Sequence, residues 1–129
     1  MRVLYVDDES DIREIAQLAL ELDPAIRVRT AATGAEAIAL AESFAPDLVL
    51  LDVMMPEMDG VATLAQLRSH DATRRTPVIF ITARTQASEV LRFKCLGALA
   101  VIPKPFDPMR LAAQVRALME PEGPPQSAG

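Results

Sequence analysis

Four short apolar runs place the strongest limit on what this chain of 129 residues can fold into. Each run is too short for a helix and consists mostly of β-branched or bulky side chains, which is typical of buried strands. The runs are Val3–Val6, Leu48–Leu51, Val78–Ile81 and Leu99–Ile102. A fifth segment, residues 26–30, alternates apolar with polar side chains, so it predicts a strand exposed on one side at a sheet edge.

Each of these segments is followed by a helical pattern, in which apolar residues recur at spacings of three and four. Gly97 provides a natural stop for the fourth helix. The apolar positions are Ile12, Ile15, Ala16, Ala19 and Leu22; Ala37, Ile38, Ala41 and Phe44; Val61, Leu64, Ala65 and Leu67; Val90, Leu91 and Phe93; and Leu111, Ala112, Val115 and Leu118.

This alternation predicts an α/β domain with a five-stranded parallel sheet flanked by five helices. Right-handed crossovers leave few topologies, and the edge character of the second strand favours the order 2-1-3-4-5, a doubly wound sheet of the flavodoxin-like type. Such sheets bind ligands beyond the carboxyl ends of the strands, at the switch point between strands 1 and 3.

Carboxylates follow both strands that flank this switch point. Asp7 and Asp8 end strand 1, and Asp52 ends strand 3, so three negative charges should converge in one crevice. Such convergence is costly unless a cation neutralises it. Because only oxygen ligands are present there, the pattern indicates a hard metal ion, Mg²⁺ or Mn²⁺. A simpler interpretation of Asp8, as a cap of the first helix, stays open at this point.

The ends of strands 4 and 5 add a hydroxyl and an ammonium group. Thr82 can donate a hydrogen bond to an oxyanion, and Lys104 can meet a phosphoryl oxygen, although each also suits an ordinary strand end. Pro105 permits a cis peptide bond after Lys104. The combination suits attack by a carboxylate on a phosphoryl group, and Asp52, which stands centrally, is the expected nucleophile.

Four segments of the chain resemble the receiver domains of two-component response regulators. They are "VLYVDDES", "PDLVLLDVMMPEMDG", "TPVIFITA" and "GALAVIPKPFDP", and the likeness runs from residue 2 to about residue 119. It implies a receiver domain over residues 1–120. Residues 121–129, with three Pro and two Gly, are then expected to be a disordered tail or the stub of a linker.

The resemblance also implies roles for single residues. Asp52 matches the phosphoacceptor, while Asp7 and Asp8 match the acidic pair that holds Mg²⁺ together with Asp52 and the backbone carbonyl of Met54. Thr82 matches the switch hydroxyl.

Two more matches concern the phosphoryl group and the rate of its loss. Lys104, supported by Pro105, matches the lysine that pairs with the phosphoryl group. Met54 and Arg84 occupy the positions two residues beyond Asp52 and Thr82 that influence the dephosphorylation rate in this family.

One departure from the family pattern lies three residues before the lysine. Receivers commonly carry Tyr or Phe there, as a partner for the switch threonine, whereas this chain has Val101. A simple threonine–aromatic relay to the last two helices is therefore in doubt, although the active-site residues are complete.

The function that the resemblance implies is a phosphorylation-dependent signalling switch. A histidine kinase or a phosphotransfer protein would donate the phosphoryl group, and the modified form would bind a downstream protein partner or output domain differently. The chain would catalyse its own phosphoryl transfer and its dephosphorylation, without being a turnover enzyme on external substrates. It would be either a stand-alone receiver of the chemotaxis type or a fragment of a longer regulator.

Three other functions compete with this interpretation. A phosphatase of the haloacid-dehalogenase type would carry an Asp-x-Asp nucleophile after strand 1, where this chain reads Asp7-Asp8-Glu9-Ser10. A flavin-binding module would need a loop rich in Ser, Thr and Gly there, and an acidic pair repels phosphate unless a metal ion is bound. A degenerate receiver that serves only for interaction is disfavoured by the complete site.

Composition and charge indicate which partners and which cellular compartment to expect for this chain. The net charge of −5 argues against nucleic-acid binding by this chain. Residues 1–65 carry 13 acidic and 4 basic side chains, which is either chance or a cation-attracting region. No apolar run reaches the roughly 18 residues of a membrane span, and no signal peptide is evident. With Cys95 as the single cysteine, we expect a cytoplasmic protein that binds no membrane.

Several potentially reactive side chains are assigned packing or surface positions. His70 is expected on the surface or as a cap near the end of the third helix, and Cys95 packed or partly buried in the fourth. Met54, Met55 and Met58 suit loop packing, because thioethers prefer soft ions.

Overall fold

The computed structural model describes residues 1–120 as five strands that alternate with five helices, as the sequence predicted. The elements are β1 (Arg2–Val6), α1 (Ser10–Leu20), β2 (Arg27–Ala31), α2 (Gly34–Phe44), β3 (Leu48–Asp52), α3 (Gly60–Ser69), β4 (Val78–Thr82), α4 (Ala87–Cys95), β5 (Ala100–Pro103) and α5 (Leu111–Met119).

The strands form one parallel sheet in the order β2-β1-β3-β4-β5, which confirms the predicted topology. Strand β2 stands at one edge, as its alternating pattern indicated. The register pairs Val6 with Leu51, and Asp52 with Ile81. Because all strands run in the same direction, their carboxyl ends share one edge of the sheet, with β1 beside β3 at the switch point.

Both faces of the sheet carry a core, because successive side chains of a strand point to opposite sides. On one face, α1 and α5 cover a cluster that includes Tyr5, Leu50 and Ile79. On the other face, α2, α3 and α4 cover a cluster that includes Leu51 and Phe80. Strands β3 and β4 are buried along their whole length, which explains their unbroken apolar runs.

Some boundaries and exposures differ from the sequence prediction. Strand β2 starts one residue later than residues 26–30, and β5 begins at Ala100, because Leu99 lies in the turn after α4 with 46% of its surface exposed. Helix α1 ends at Leu20, so Leu22 lies outside it on the surface. Within the helices Ile15 and Leu91 are exposed too, so these apolar positions belong to surface stripes and not to the core.

Local interactions fix the loops that lead to the site. Asp59 caps α3 by accepting a hydrogen bond from the backbone of Ala62 at 2.8 Å. Gly60 permits a close approach of this helix to the end of β3, since a Cβ atom there would lie 2.6 Å from the carbonyl oxygen of Asp52. The first turn of α3 is therefore packed directly under the loop that follows Asp52.

The remaining side chains divide between confirmed and wrong predictions. His70 is the C-cap residue of α3, with its ring Nδ1 2.7 Å from the carbonyl oxygen of Gln66. Met55 is buried as predicted, but Met54 is 60% exposed. The prediction for Cys95 was wrong, because it occupies the exposed side of α4.

Within residues 1–120, none of the helices combines the length and apolarity required to cross a membrane. The tail predicted for residues 121–129 lies outside the residues that the structure describes.

Candidate metal and phosphoryl site

The ends of β1 and β3 bring three carboxylates together. Asp7, Asp8 and Asp52 each place one oxygen within 4.8 Å of the others. Asp7 and Asp52 are buried, whereas Asp8 is exposed. The capping interpretation of Asp8 was wrong, because Glu9 is the N-cap residue of α1 and makes no side-chain cap. The sequence argument from the switch point therefore located this cluster correctly.

Asp7 accepts hydrogen bonds at both carboxylate oxygens. The backbone N–H of Glu9 donates to Oδ1 at 3.0 Å, and the hydroxyl of Tyr5 donates to Oδ2 at 3.2 Å. The Arg13 side chain donates to the backbone carbonyl of Asp7 at 2.7 Å. The turn after β1 is thus held in place by its own backbone and by α1.

Lys104 reaches into the same crevice from the end of β5. Its Nζ lies 3.0 Å from Asp7 Oδ2, 3.5 Å from Asp52 Oδ2 and 3.7 Å from Glu9 Oε1. Burial alone would lower the pKa of Lys104, but the hydrogen bond to Asp7 and the charges of the three carboxylates outweigh it and leave that pKa raised. The lysine therefore stays charged and offsets part of the negative charge. The Lys104–Pro105 peptide bond is cis, as the sequence permits.

Asp52 is the carboxylate whose protonation is most altered. Burial, followed by the negative charge of Asp7, raises the pKa of Asp52 to about 6, although Lys104 and the backbone N–H of Met54 act in the opposite direction. That N–H lies 3.3 Å from Asp52 Oδ1. Two buried carboxylates with one lysine are thus under-neutralised, which is the electrostatic condition that a divalent cation relieves.

Thr82 ends β4 next to this crevice, in register with Pro103 of β5. It is buried, and its hydroxyl oxygen accepts a hydrogen bond from the backbone N–H of Arg84 at 3.0 Å. The hydroxyl proton is left to donate elsewhere. The side chain of Arg84 points along α4, where it forms an exposed ion pair with Glu89 at 3.4 Å.

Val101 occupies β5 beside Phe80 and packs against the core cluster under α4. The aromatic pair on this face is instead Phe80 with Phe93, whose ring centroids lie 5.1 Å apart. The aromatic contact on this face therefore joins β4 and α4 and does not involve the β5 position that the sequence singled out.

Sequence reasoning missed Tyr5, Glu9 and Arg13 as neighbours of the carboxylates. Strand alternation offered one signal for Tyr5, because residues 5 and 7 of an extended strand face the same side. Burial and then the charge of Asp7 raise the pKa of Tyr5, so its hydroxyl keeps its proton and donates to that carboxylate. The contact of Arg13 with a backbone carbonyl had no signal in the sequence.

The donor set fits a hard divalent cation. Three carboxylate oxygens lie within a few ångströms of each other without histidine or thiolate in the group, which suits Mg²⁺ or Mn²⁺ rather than zinc. The raised pKa of Asp52 agrees with this fit, because burial and then the charge of Asp7 disfavour the ionised carboxylate, and a bound cation would favour it.

Fold and site together define a class: a doubly wound α/β domain with an acidic crevice and a lysine at its switch point. Residues 3–116 match the family model described as the response regulator receiver domain. The chain belongs to this family, whose members are signalling proteins rather than metabolic enzymes.

Individual proteins show the same likeness. The chain is 39% identical over 129 residues to the response regulator MprA of Mycolicibacterium vanbaalenii, and the alignment covers 100% of this chain and 54% of that protein. It is 37% identical over 127 residues to the response regulator Rre1 of Synechocystis, covering 98% of this chain and 55% of that protein. The chain thus spans about half the length of these two relatives.

Among solved structures, the chemotaxis response regulator CheY4 of Vibrio cholerae superposes with a TM-score of 0.83 at 32% identity, covering 92% of this chain and 98% of that one. A putative response regulator from Chloroflexus aurantiacus gives 0.80 at 31% identity, with 91% and 95% covered.

Proposed function

We propose that this domain is a phosphorylation-dependent switch that accepts a phosphoryl group on Asp52. The observation that carries the proposal is the position of this carboxylate: it is buried at the end of β3, within ion-pair distance of Lys104 and beside Asp7. A nucleophile at such a place has its counter-charges arranged before the donor arrives.

In the proposed step, a carboxylate oxygen of Asp52 attacks the phosphorus of a phosphohistidine. The bond between phosphorus and the histidine nitrogen breaks, the imidazole keeps the electron pair, and an acyl phosphate forms on Asp52. The Lys104 ammonium, which lies 3.5 Å from Asp52 Oδ2, is placed to pair with a phosphoryl oxygen. Hydrolysis of the acyl phosphate would restore the carboxylate, so the chain would catalyse its own modification and its reversal.

Asp7, Asp8, Asp52 and the backbone carbonyl of Met54 would hold Mg²⁺, with Mn²⁺ as an alternative. When bound, the ion would offset charge on the transferring phosphoryl oxygens. This assignment is supported by the converging carboxylate oxygens and by the place of Met54 in the turn directly after β3.

Thr82 and Lys104 would contact the phosphoryl group on Asp52 and respond to its presence. The Thr82 hydroxyl has a proton free to donate, so a phosphoryl oxygen on Asp52 would attract it and pull on the loop after β4. Met54, which is exposed two residues beyond Asp52, and Arg84, two residues beyond Thr82, would influence how fast water removes the phosphoryl group. Pro105, which follows Lys104, would have a supporting role in this arrangement.

The donor is proposed to be a histidine kinase or phosphotransfer protein that docks on α1. An apolar groove of about 420 Å³ lies beside the crevice, between α1 and the loop after β5, and its lining includes Ile12, Ile15 and Phe106. Leu18, 65% exposed, extends the apolar surface along the same helix. An amphipathic helix of the donor would fit such a surface and bring its histidine to Asp52.

We further propose that residues 1–120 form a receiver domain that works in the cytoplasm, and that residues 121–129 are a tail or a linker. Some curated relatives carry names of transcriptional regulators, such as CpxR of Klebsiella pneumoniae, 49% of which aligns with this chain. We therefore propose that the downstream partner is a protein or an attached output domain, and that this chain itself binds neither nucleic acid nor membrane.

The test is intact-mass spectrometry after incubation with Mg²⁺ and either acetyl phosphate or a phosphorylated histidine donor protein. We expect a gain of roughly 80 Da that is absent from Asp52→Asn and after chelation of the metal. Asp71→Asn is a matched control, because that carboxylate is fully exposed and distant from the crevice in the fold. Equal gains in Asp52→Asn and the wild type would refute the assignment of the nucleophile.

A further inference from the structure

A buried tyrosine hydroxyl faces the acidic crevice and has no role in the proposed phosphoryl transfer. Tyr5 lies on β1 with no exposed surface, and its hydroxyl donates to Asp7 Oδ2 at 3.2 Å. It is also the only tyrosine of the chain, which contains no tryptophan.

The hydrogen bonds on Asp7 are distributed unequally. An ionised carboxylate offers about two acceptor positions on each oxygen. On Oδ2 both are engaged, by the Tyr5 hydroxyl and by Lys104 Nζ at 3.0 Å. On Oδ1 the described contacts engage one, by the backbone N–H of Glu9. The oxygen that keeps an open acceptor position is therefore Oδ1, and the Tyr5 hydroxyl helps to determine this.

The ring of Tyr5 also packs against an aromatic ring of the loop after β5. It meets Phe106 edge to face, with ring centroids 6.4 Å apart and planes inclined at 70°. Phe106 follows Lys104 and Pro105 in the loop after β5, so the ring that orients Asp7 packs against the same loop that carries the lysine. Such packing fixes the direction of the hydroxyl, since a buried aromatic ring has few alternative rotamers.

We propose that Tyr5 is a positioning residue for the metal site: its hydroxyl holds the Asp7 carboxylate so that Oδ1 faces a divalent cation. This inference rests on the proposed function, because it presumes that the crevice binds Mg²⁺. It adds a residue that contacts neither the ion nor the phosphoryl group. Hydrogen bonds to metal ligands commonly contribute about 10- to 100-fold to metal affinity.

Tyr5→Phe removes the hydroxyl and keeps the ring against Phe106. Thr73→Val is the matched control, because it removes another buried hydroxyl. This hydroxyl donates to the carbonyl of Leu67, near the end of α3 that is far from the crevice. Calorimetric titration with Mg²⁺ and with Ca²⁺, after circular dichroism has shown that each variant is folded, gives the affinities.

The expected result is a dissociation constant for Mg²⁺ about tenfold higher in Tyr5→Phe and unchanged in Thr73→Val. The affinity for Ca²⁺ should fall less, because Ca²⁺ tolerates flexible ligand geometry whereas Mg²⁺ demands a near-ideal octahedron. Wild-type affinity for Mg²⁺ in Tyr5→Phe would overturn the inference and leave the proposed function intact. Failure of the wild-type protein to bind Mg²⁺ would overturn both.

A second measurement needs no substitution at Tyr5. Since all intrinsic fluorescence of the wild-type chain from tyrosine arises at this residue, titration with Mg²⁺ should change the emission and saturate at the calorimetric dissociation constant. The change should vanish in Asp7→Asn. An ion at Oδ1 would draw negative charge from the Asp7 carboxylate and weaken its hydrogen bond with Tyr5. An emission that stays constant while calorimetry reports binding would show that Tyr5 is not coupled to the ion-bound carboxylate, and would overturn the inference even if Tyr5→Phe did not fold.

Discussion

The substitution Asp52→Asn should stabilise the metal-free domain at neutral pH, although it removes a hydrogen-bonded buried residue. The pKa of Asp52 is raised from 3.8 to about 6 by burial and by the charge of Asp7. The folded state thus binds a proton more tightly than the unfolded state, so this group lowers stability as pH rises from about 4 to 6. At about 1.4 kcal/mol for each pH unit, the full effect is about 3 kcal/mol.

The neutral amide removes that cost but also weakens the contact with Lys104 at 3.5 Å, so we expect a net stabilisation of about 1–3 kcal/mol at pH 7.5. For a domain of this size, this corresponds to an increase in Tm of roughly 4–10 °C. Urea unfolding followed by circular dichroism, with chelator present, gives the free energy of unfolding at pH 7.5 and at pH 4.5. The difference between variant and wild type should shrink at the lower pH, where the wild-type carboxyl is largely protonated.

Two results would refute this reasoning. One is an Asp52→Asn variant that is no more stable than the wild type at pH 7.5 without divalent cations. The other is a stabilisation of the same size at both pH values, which would point to packing and not to charge. Asp71→Asn serves as the control for the loss of a carboxylate, because its full exposure predicts a change within about 0.5 kcal/mol at either pH.

Three further outcomes follow from the same contacts. Mg²⁺ at 100 times its dissociation constant should raise the unfolding free energy of the wild type by about 2.7 kcal/mol, and a thermal melt that does not move with Mg²⁺ would contradict the metal site. Lys104→Met should destabilise the chain by about 1–3 kcal/mol at pH 7.5 in urea unfolding, and less at pH 5, because Asp7 and Asp52 lose their cation. Gly60→Ala should cost about 2 kcal/mol or more, since its Cβ would meet the Asp52 carbonyl oxygen at 2.6 Å; a melting temperature within 2 °C of the wild type would show that the loop yields.

The sequence predicted the strand order and the carboxylate cluster because both follow from patterns that are visible in the order of residues alone. Buried parallel strands give unbroken apolar runs, and strand ends in a parallel sheet meet at one edge. Exposure was predicted less well, since Leu22 lies beyond the end of α1 and Leu91 lies within α4, but both are on the surface. Helical periodicity identifies an apolar stripe, but it does not distinguish a stripe that packs on the core from one that lies on the surface. Exposure of Cys95 was missed for the same reason.

The contacts around the site were harder to predict because they depend on side chains that meet across elements. Nothing in the order of residues places Lys104 3.0 Å from Asp7, or Phe106 against Tyr5. These contacts arise only when the loop after β5 lies against the end of β1 and against α1 at the carboxyl edge of the sheet. The roles implied for Thr82, Arg84 and Met54 stay predictions, since they concern a modified state.

The electrostatics of the crevice explain why a chain would keep a locally unfavourable arrangement. Two buried carboxylates share one lysine, and burial, followed by the negative charge of Asp7, raises the pKa of Asp52. In the proposed function, a bound cation would relieve this cost and would leave Lys104 available to pair with a phosphoryl group. With Val101 at the usual aromatic position, the contact of Tyr5 with Phe106 offers a separate connection from the crevice to the loop before α5. The cost of ionising Asp52 therefore arises from buried charge at the strand ends, next to two clusters of apolar side chains on the faces of the sheet.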